Sequence, residues 1–424
     1  MISRQEIFCL LLAATCLVNG EPEPRRRAKL VSGLENDQPI GSNTNNNQTG
    51  SSREGKVFSL FNVVQFRNGG CRSTSTISGG GTGSTNRNGT CFTTDECTSR
   101  GGSASGSCAA GFGVCCVFLV SNSGGTITQN CTYVRNPDFP NSYATSSQIS
   151  YNIQKCDRSV CSLRLDFETF SIQGTGNSLE VDTALVPLDP GGVCLDTFTV
   201  SVNTGQNIPT ICGQNTGQHM YVDIGNLASD TAQLNFAFSG SSNNRQWEIK
   251  VTQIPCNTQG HPNGCGCLQY LTGLTGRLTT FNFMPTNDNH LANQEYSICI
   301  RQEAGFCCVE YTPCADIGSF SLDTNKMLMM AKIETECSVD YIGIEGGQGT
   351  CSGSANPTAG VNKFCGDKFN SLSKQMFDAP VCDCTAPFRV DIFTDDDVDV
   401  GDMGATANTK PSRGVCLEYR QIPC

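Results

Sequence analysis

Groups able to carry out bond-making chemistry are scarce in this chain. It has three histidines, His219, His261 and His290. None stands in a His-Glu-x-x-His zinc motif, and neither Gly-Asp-Ser-Gly-Gly nor Gly-x-Ser-x-Gly is present to place an activated serine. The residues nominate no catalytic group, and the expectation is a chain that is not an enzyme. The densest acidic run, Asp395-Asp-Asp-Val-Asp399, fills the first three ligand slots of an EF-hand, but Val400 stands where that loop requires glycine and Thr406 where it requires a bidentate glutamate. Cys265-Gly-Cys267 and Cys382-Asp-Cys384 are close thiol pairs, yet structural zinc takes ligands at a repeated wider spacing. In an exported chain such pairs read as disulfide halves.

Export is what the N-terminus suggests. Arg4, an apolar run from Ile7 to Val18, and small or aliphatic residues around Asn19 and Gly20 fit a secretory signal over residues 1–20. The run is too short to span a bilayer, an uncleaved anchor being the alternative, and no later stretch approaches eighteen apolar residues, so no membrane span is expected. Of 27 cysteines, Cys9 and Cys16 fall in the signal. An odd number remains, so at least one thiol lacks a mate within the chain and a disulfide-linked oligomer is allowed. Asn47, Asn88 and Asn130 begin glycosylation sequons. A net charge of −11, without a basic run interleaved with aromatics, excludes a phosphate backbone as partner.

The elements that must position these residues are read from composition and periodicity. Residues 21–57 are too polar to bury a core and read as a disordered linker. Residues 58–118 carry Cys71, Cys91, Cys97, Cys108, Cys115 and Cys116 in a Gly- and Ser-rich segment whose small core calls for three bridges. From Cys131 apolar residues alternate with polar ones: Leu163, Leu165 and Phe167; Phe198, Val200 and Val202; Leu234, Phe236 and Phe238; Trp247, Ile249 and Val251; Phe388, Val390 and Ile392. Period two means strands with one buried face, and their number predicts an all-β fold of antiparallel β-sandwiches. Trp247 lies within this alternation and reads as core, which weakens a carbohydrate-binding reading.

The sandwich comes twice. Cys194-Leu-Asp196, Ile211-Cys212-Gly213 and Gln253-Ile-Pro-Cys256 recur in order as Cys337-Ser-Val-Asp340, Phe364-Cys365-Gly366 and Gln421-Ile-Pro-Cys424. Residues 131–256 and 265–424 are read as two copies of one domain, the second divergent.

The cysteine order of residues 58–118, ending in a vicinal pair, resembles the clip domain of arthropod haemolymph proteins. That resemblance implies Cys71 with Cys115, Cys91 with Cys108 and Cys97 with Cys116. The four cysteines of each copy, with Cys-x-Asp or Cys-x-x-Asp ahead of a strand and Cys-Gly further on, resemble CUB domains of jelly-roll type, as in arthropod-type secreted CUB domain-containing proteins. This implies Cys131 with Cys156, Cys194 with Cys212, Cys267 with Cys299 and Cys337 with Cys365. It further implies a secreted, non-catalytic module for an extracellular protein partner, sometimes with Ca²⁺ held by three acids. Those positions read Gln173, Asp196 and Gly240 in the first copy but Asp323, Asp340 and Asp395 in the second, so Ca²⁺ is expected in the second alone. A disulfide-linked structural or matrix protein and a carbohydrate-binding module are the other classes left open.

Overall fold

The computed structural model describes residues 65–73, 87–175, 192–240, 242, 245–258, 266–284, 289–322, 329–349, 351, 360–396 and 412–424. The expected signal and linker, the sequon at Asn47 and the acid at Asp323 lie outside these residues. Strands β1 (Gly70–Arg72), β2 (Asn88–Phe92), β3 (Ser103–Cys108) and β4 (Gly113–Val120), with the short helix α1 (Thr94–Ser99), come from the six-cysteine segment. The first sandwich is β5 (Gly125–Ile127), β6 (Thr132–Arg135), β7 (Ile149–Gln154), β8 (Val160–Ser171), β9 (Thr197–Val202), β10 (His219–Asp223), β11 (Thr231–Ala237) and β12 (Gln246–Pro255). The second is β13 (Gln269–Leu271), β14 (Thr275–Thr279), β15 (Glu295–Ile300), β16 (Phe306–Pro313), β17 (Phe320–Ser321), β18 (Ala331–Ile333), β19 (Tyr341–Gly347), β20 (Val361–Gly366), β21 (Val381–Asp383), β22 (Phe388–Phe393) and β23 (Gly414–Pro423).

Alternation places the core. Leu163, Leu165 and Phe167 on β8, Leu234 and Phe236 on β11, and Trp247, Ile249 and Val251 on β12 are all buried. On β8 the row then slips, because Glu168 has no opposite residue on β12 and the bulge hands burial to Phe170 and Ile172. Strand order in the first sandwich is β1-β2-β4-β6-β12-β8-β10 over β5-β7-β11-β9; in the second it is β13-β15-β22-β19-β20-β18 over β14-β23-β16-β21. The pairs β4–β6, β5–β7 and β13–β15 are parallel, a departure from the antiparallel expectation. In each case the chain crosses to the opposite sheet and back between the paired strands, which restores its direction.

The six-cysteine knot is built into the first sandwich. β4 pairs with β2 and β3 on the knot side and with β6 on the other, so one sheet runs through both. Cys71–Cys115, Cys91–Cys108 and Cys97–Cys116 close the knot around Phe92 and Phe118, and loops of this size contribute on the order of 3 kcal/mol each in the chain-entropy model. Thr93 and Glu96 form a reciprocal capping box on α1. The buried guanidinium of Arg87 pairs with Glu248 of β12 (Nη2–Oε2 2.6 Å), and the Asn88 N–H donates to the Tyr133 hydroxyl at 2.8 Å.

The two sandwiches share one apolar core. At the junction the Tyr221 N–H donates to the Leu268 carbonyl, the Asn282 N–H to Asn215 Oδ1, and the Gln214 N–H back to Asn282 Oδ1. Gly213 of the Cys-Gly landmark has φ +75°, and Asn282 Oδ1 occupies the space its Cβ would fill. Gly366, its counterpart, has φ +90°, with the Met330 carbonyl oxygen 2.4 Å from where its Cβ would sit. A left-handed backbone without room for a side chain explains why both copies carry glycine there.

His219 is the titratable group of this junction. Its Nε2 accepts the Tyr270 N–H at 3.0 Å, which requires an unprotonated nitrogen, and burial followed by the nearby Arg164 guanidinium pushes its pKa from 6.5 down to about 3. Below pH 6.5 the unfolded chain takes up a proton that the folded chain refuses until about pH 3, so stability falls as pH drops through that window. His219→Gln, which keeps an acceptor without a base, is expected to flatten this acid limb in melting curves recorded between those limits.

Candidate functional site

In the first sandwich two of the three aligned positions, Gln173 and Asp196, meet a guanidinium. Asp196 is fully buried, its Oδ2 accepting the Gln173 N–H and its Oδ1 the Ser239 N–H, each at 2.9 Å. Gly240, the third position, follows Ser239 and is exposed. Arg245, also fully buried, fastens both carboxylate oxygens, Nε to Oδ2 at 2.6 Å and Nη2 to Oδ1 at 2.8 Å. Its remaining donors reach Gln173 Oε1, the Ser239 carbonyl and the Thr145 carbonyl, and its plane lies over the Phe238 ring. Both Asp196 carboxylate oxygens, Gln173 Oε1 and two carbonyls are thus bound by one internal cation. The residues do not fit Ca²⁺, since the charge and the space are already taken.

The second sandwich starts from the same plan and ends differently. Asp340 is buried at 1% exposure, and its Oδ1 accepts the Asp395 N–H at 3.0 Å, so the loop after β22 is tied to it. Arg413 stands the same eight residues ahead of Gln421 as Arg245 does of Gln253. Its guanidinium, however, donates to the carbonyls of Ile317 and Phe283 and stacks on the Phe283 ring. Asp340 Oδ2 faces His290 Nε2 instead, at 3.3 Å and without hydrogen-bond alignment. Among the described residues, this buried carboxylate has no arginine or lysine partner.

Asp340 and Asp395 are therefore brought together, while Asp323 lies outside the described residues. Sequence reasoning missed Arg245 and His290. The signal for the first was an arginine at the head of the last long strand, where its charge has to be buried; the second carries no local signal.

The cysteines are joined as Cys194–Cys212, Cys267–Cys299, Cys337–Cys365, Cys161–Cys256, Cys307–Cys424, Cys308–Cys384, Cys314–Cys416 and Cys351–Cys382. Cys131 and Cys156 are also in disulfides. Of the sequons, Asn88 is half-buried at the start of β2. The sequon at Asn130 is corrected: its side chain is buried, and the nitrogen a glycan would occupy donates to the Gln253 carbonyl while Oδ1 accepts the Cys131 and Gln253 N–H groups.

Removing one member of a buried ion pair leaves the other unpaired and costs about 3–5 kcal/mol. Arg245→Met should lower the melting temperature by that equivalent. Asp196→Asn combined with Arg245→Met should recover part of the loss in a double-mutant cycle read by thermal unfolding.

The matching family model is that of the animal CUB domain, over residues 264–422. A comparison with curated proteins finds no match. Among solved structures, the CUB1-EGF-CUB2 domains of rat MASP-1 are 16% identical, covering 71% of this chain and 99% of that one at a TM-score of 0.23. The MASP-1 CUB2 domain bound to Ca²⁺ is 24% identical, covering 31% and 98% at 0.22. The extracellular region of zebrafish Gpr126/Adgrg6 is 12% identical, covering 71% and 37% at 0.24. Over residues 264–422 the chain is similar to the animal CUB domain.

Proposed function

We propose that this chain is a secreted, non-catalytic binding protein whose second sandwich engages an extracellular protein partner through the Asp340–Asp395 edge, with Ca²⁺ ordering that edge. The observation that carries the reading is the contrast between two equally buried aspartates. Asp196 has a guanidinium locked onto it, whereas the matching arginine of the second sandwich, Arg413, donates to the Ile317 and Phe283 carbonyls. A buried carboxylate without a strong cation is unfavourable, and a hard divalent ion or a partner's basic side chain would supply the missing charge.

The donor chemistry fits Ca²⁺, which takes about six to eight oxygens, several from carboxylates. Asp340 and Asp395 would hold the ion, with Asp323 the remaining acid on the same reading. The ion would supply charge and order to the loops. The chain's own residues position the edge: the Asp395 N–H pins the loop after β22 onto Asp340, and Thr394 Oγ1 fixes the neighbouring strand by donating to the Leu291 carbonyl. Export is supported by the density of disulfides and by CUB domains being extracellular interaction modules. Among the described residues no helix is long and apolar enough to cross a membrane.

Calorimetric titration of the full chain with CaCl₂ should give one binding event that Asp340→Asn abolishes. Capture of a protein from extracellular fluid should be lost in chelator and with the same variant. No Ca²⁺ heat, together with melting unchanged by chelator, would remove the metal; capture that persists in Asp340→Asn would move the partner surface elsewhere.

A second reading, a disulfide-linked structural protein, is favoured by one observation. An odd number of cysteines remains once Cys9 and Cys16 depart with the signal, so at least one lacks a mate within the chain. On non-reducing gels this reading expects a covalent dimer that reductant converts to monomer.

A further inference from the structure

The Cys382-Asp-Cys384 pair brings two disulfides into contact. Cys382 lies on β21 and Cys384 just beyond it, so residues two apart project from the same face of extended backbone. Each is bonded elsewhere, Cys384 to Cys308 on β16 and Cys382 to Cys351 in the connection between β19 and β20. The Sγ atoms of Cys382 and Cys384 are nonetheless only 3.7 Å apart, and the Cys308 sulfur lies within 4.8 Å of both. Access is unequal. Cys384 is exposed and Cys308 half-buried, whereas Cys382 is buried at 5% exposure.

We infer that these four cysteines form a disulfide-exchange relay that passes a reduction from the exposed Cys308–Cys384 bridge to Cys351. The external reductant is a low-molecular-weight thiol. Two thiol molecules open Cys308–Cys384 by a two-electron transfer, become a disulfide themselves, and leave thiols on Cys308 and Cys384. The Cys384 thiolate then attacks Cys382 Sγ, a sulfur at contact distance. A Cys382–Cys384 bond forms, the Cys351–Cys382 bond breaks, and its electron pair leaves on Cys351, which takes up the proton Cys384 gave up. This second step is redox-neutral. Its outcome is to move the opened position from the β16–β21 junction to the connection between β19 and β20. That connection is then held to β21 by the paired backbone hydrogen bonds of Gln348 and Cys382.

The test is graded reduction of the native full chain with glutathione, followed by acid quenching, alkylation with N-ethylmaleimide and peptide mapping. The relay predicts label on Cys308 and Cys351 in the same molecules, with a peptide cross-linked from Cys382 to Cys384. Label on Cys308 and Cys384 with Cys351–Cys382 intact would overturn it. Cys308→Ser asks the same question without reductant, because its Cys384 thiol is free from the outset. Gain of maleimide label on Cys351 supports the relay, and label retained on Cys384 contradicts it.

Discussion

A carboxylate taken out of water must find a positive charge or donors enough to replace its hydration. Among the carboxylates buried in the described residues, Asp196 and Asp340 stand directly ahead of β9 and β19, at matching landmarks of the two sandwiches. Around Asp196 the requirement is met internally: Arg245 grips both oxygens while the Gln173 and Ser239 N–H groups complete the shell. Around Asp340 the register-matched arginine faces the other way, and what remains is one backbone donor and a misaligned imidazole. The difference in function proposed for the two sandwiches follows from where one guanidinium points.

Internal cations recur in the first sandwich. Lys155 reaches the carbonyls of Gly225 and Leu227 at 2.8 and 2.7 Å, with Asp230 beyond at 3.8 Å. Arg87 fastens the knot onto β12 in the same manner. The continuous sheet through β4 and the polar junction at Asn215 and Asn282 join the knot and both sandwiches into one support. A loop edge that binds a partner gains from such a support, because less conformational freedom is lost on contact.

Much of the fold was legible because period-two alternation reports burial directly. Leu163, Leu165 and Phe167 point inward as their spacing requires, and Trp247 is core. The legibility stops at the bulge beside Glu168, since one extra residue reverses the phase without any mark in the composition. The parallel pairs were invisible for a related reason: strand direction depends on which sheet the intervening strand joins, and alternation is silent about that. The knot's continuity with the sandwich was equally hidden, because β4 is an unbroken apolar run, buried from Cys115 to Phe118, that carries no mark of which strands it pairs with.

The site was legible only in part. Asp340 and Asp395 could be picked out as acids at equivalent positions, and the backbone N–H of Asp395 donates to Asp340 Oδ1. What sequence could not supply is the counter-charge. Arg245 and Arg413 occupy matched positions yet have different partners, because side-chain direction at a strand start depends on the carbonyls around it, here Ile317 and Phe283. The most direct measurement is a crystal structure of the full chain grown with Ca²⁺. The account predicts a density peak bonded to Asp340 and Asp395 at about 2.3–2.6 Å, with Asp196 still held by Arg245. A peak at Asp196, or none at Asp340, would contradict it.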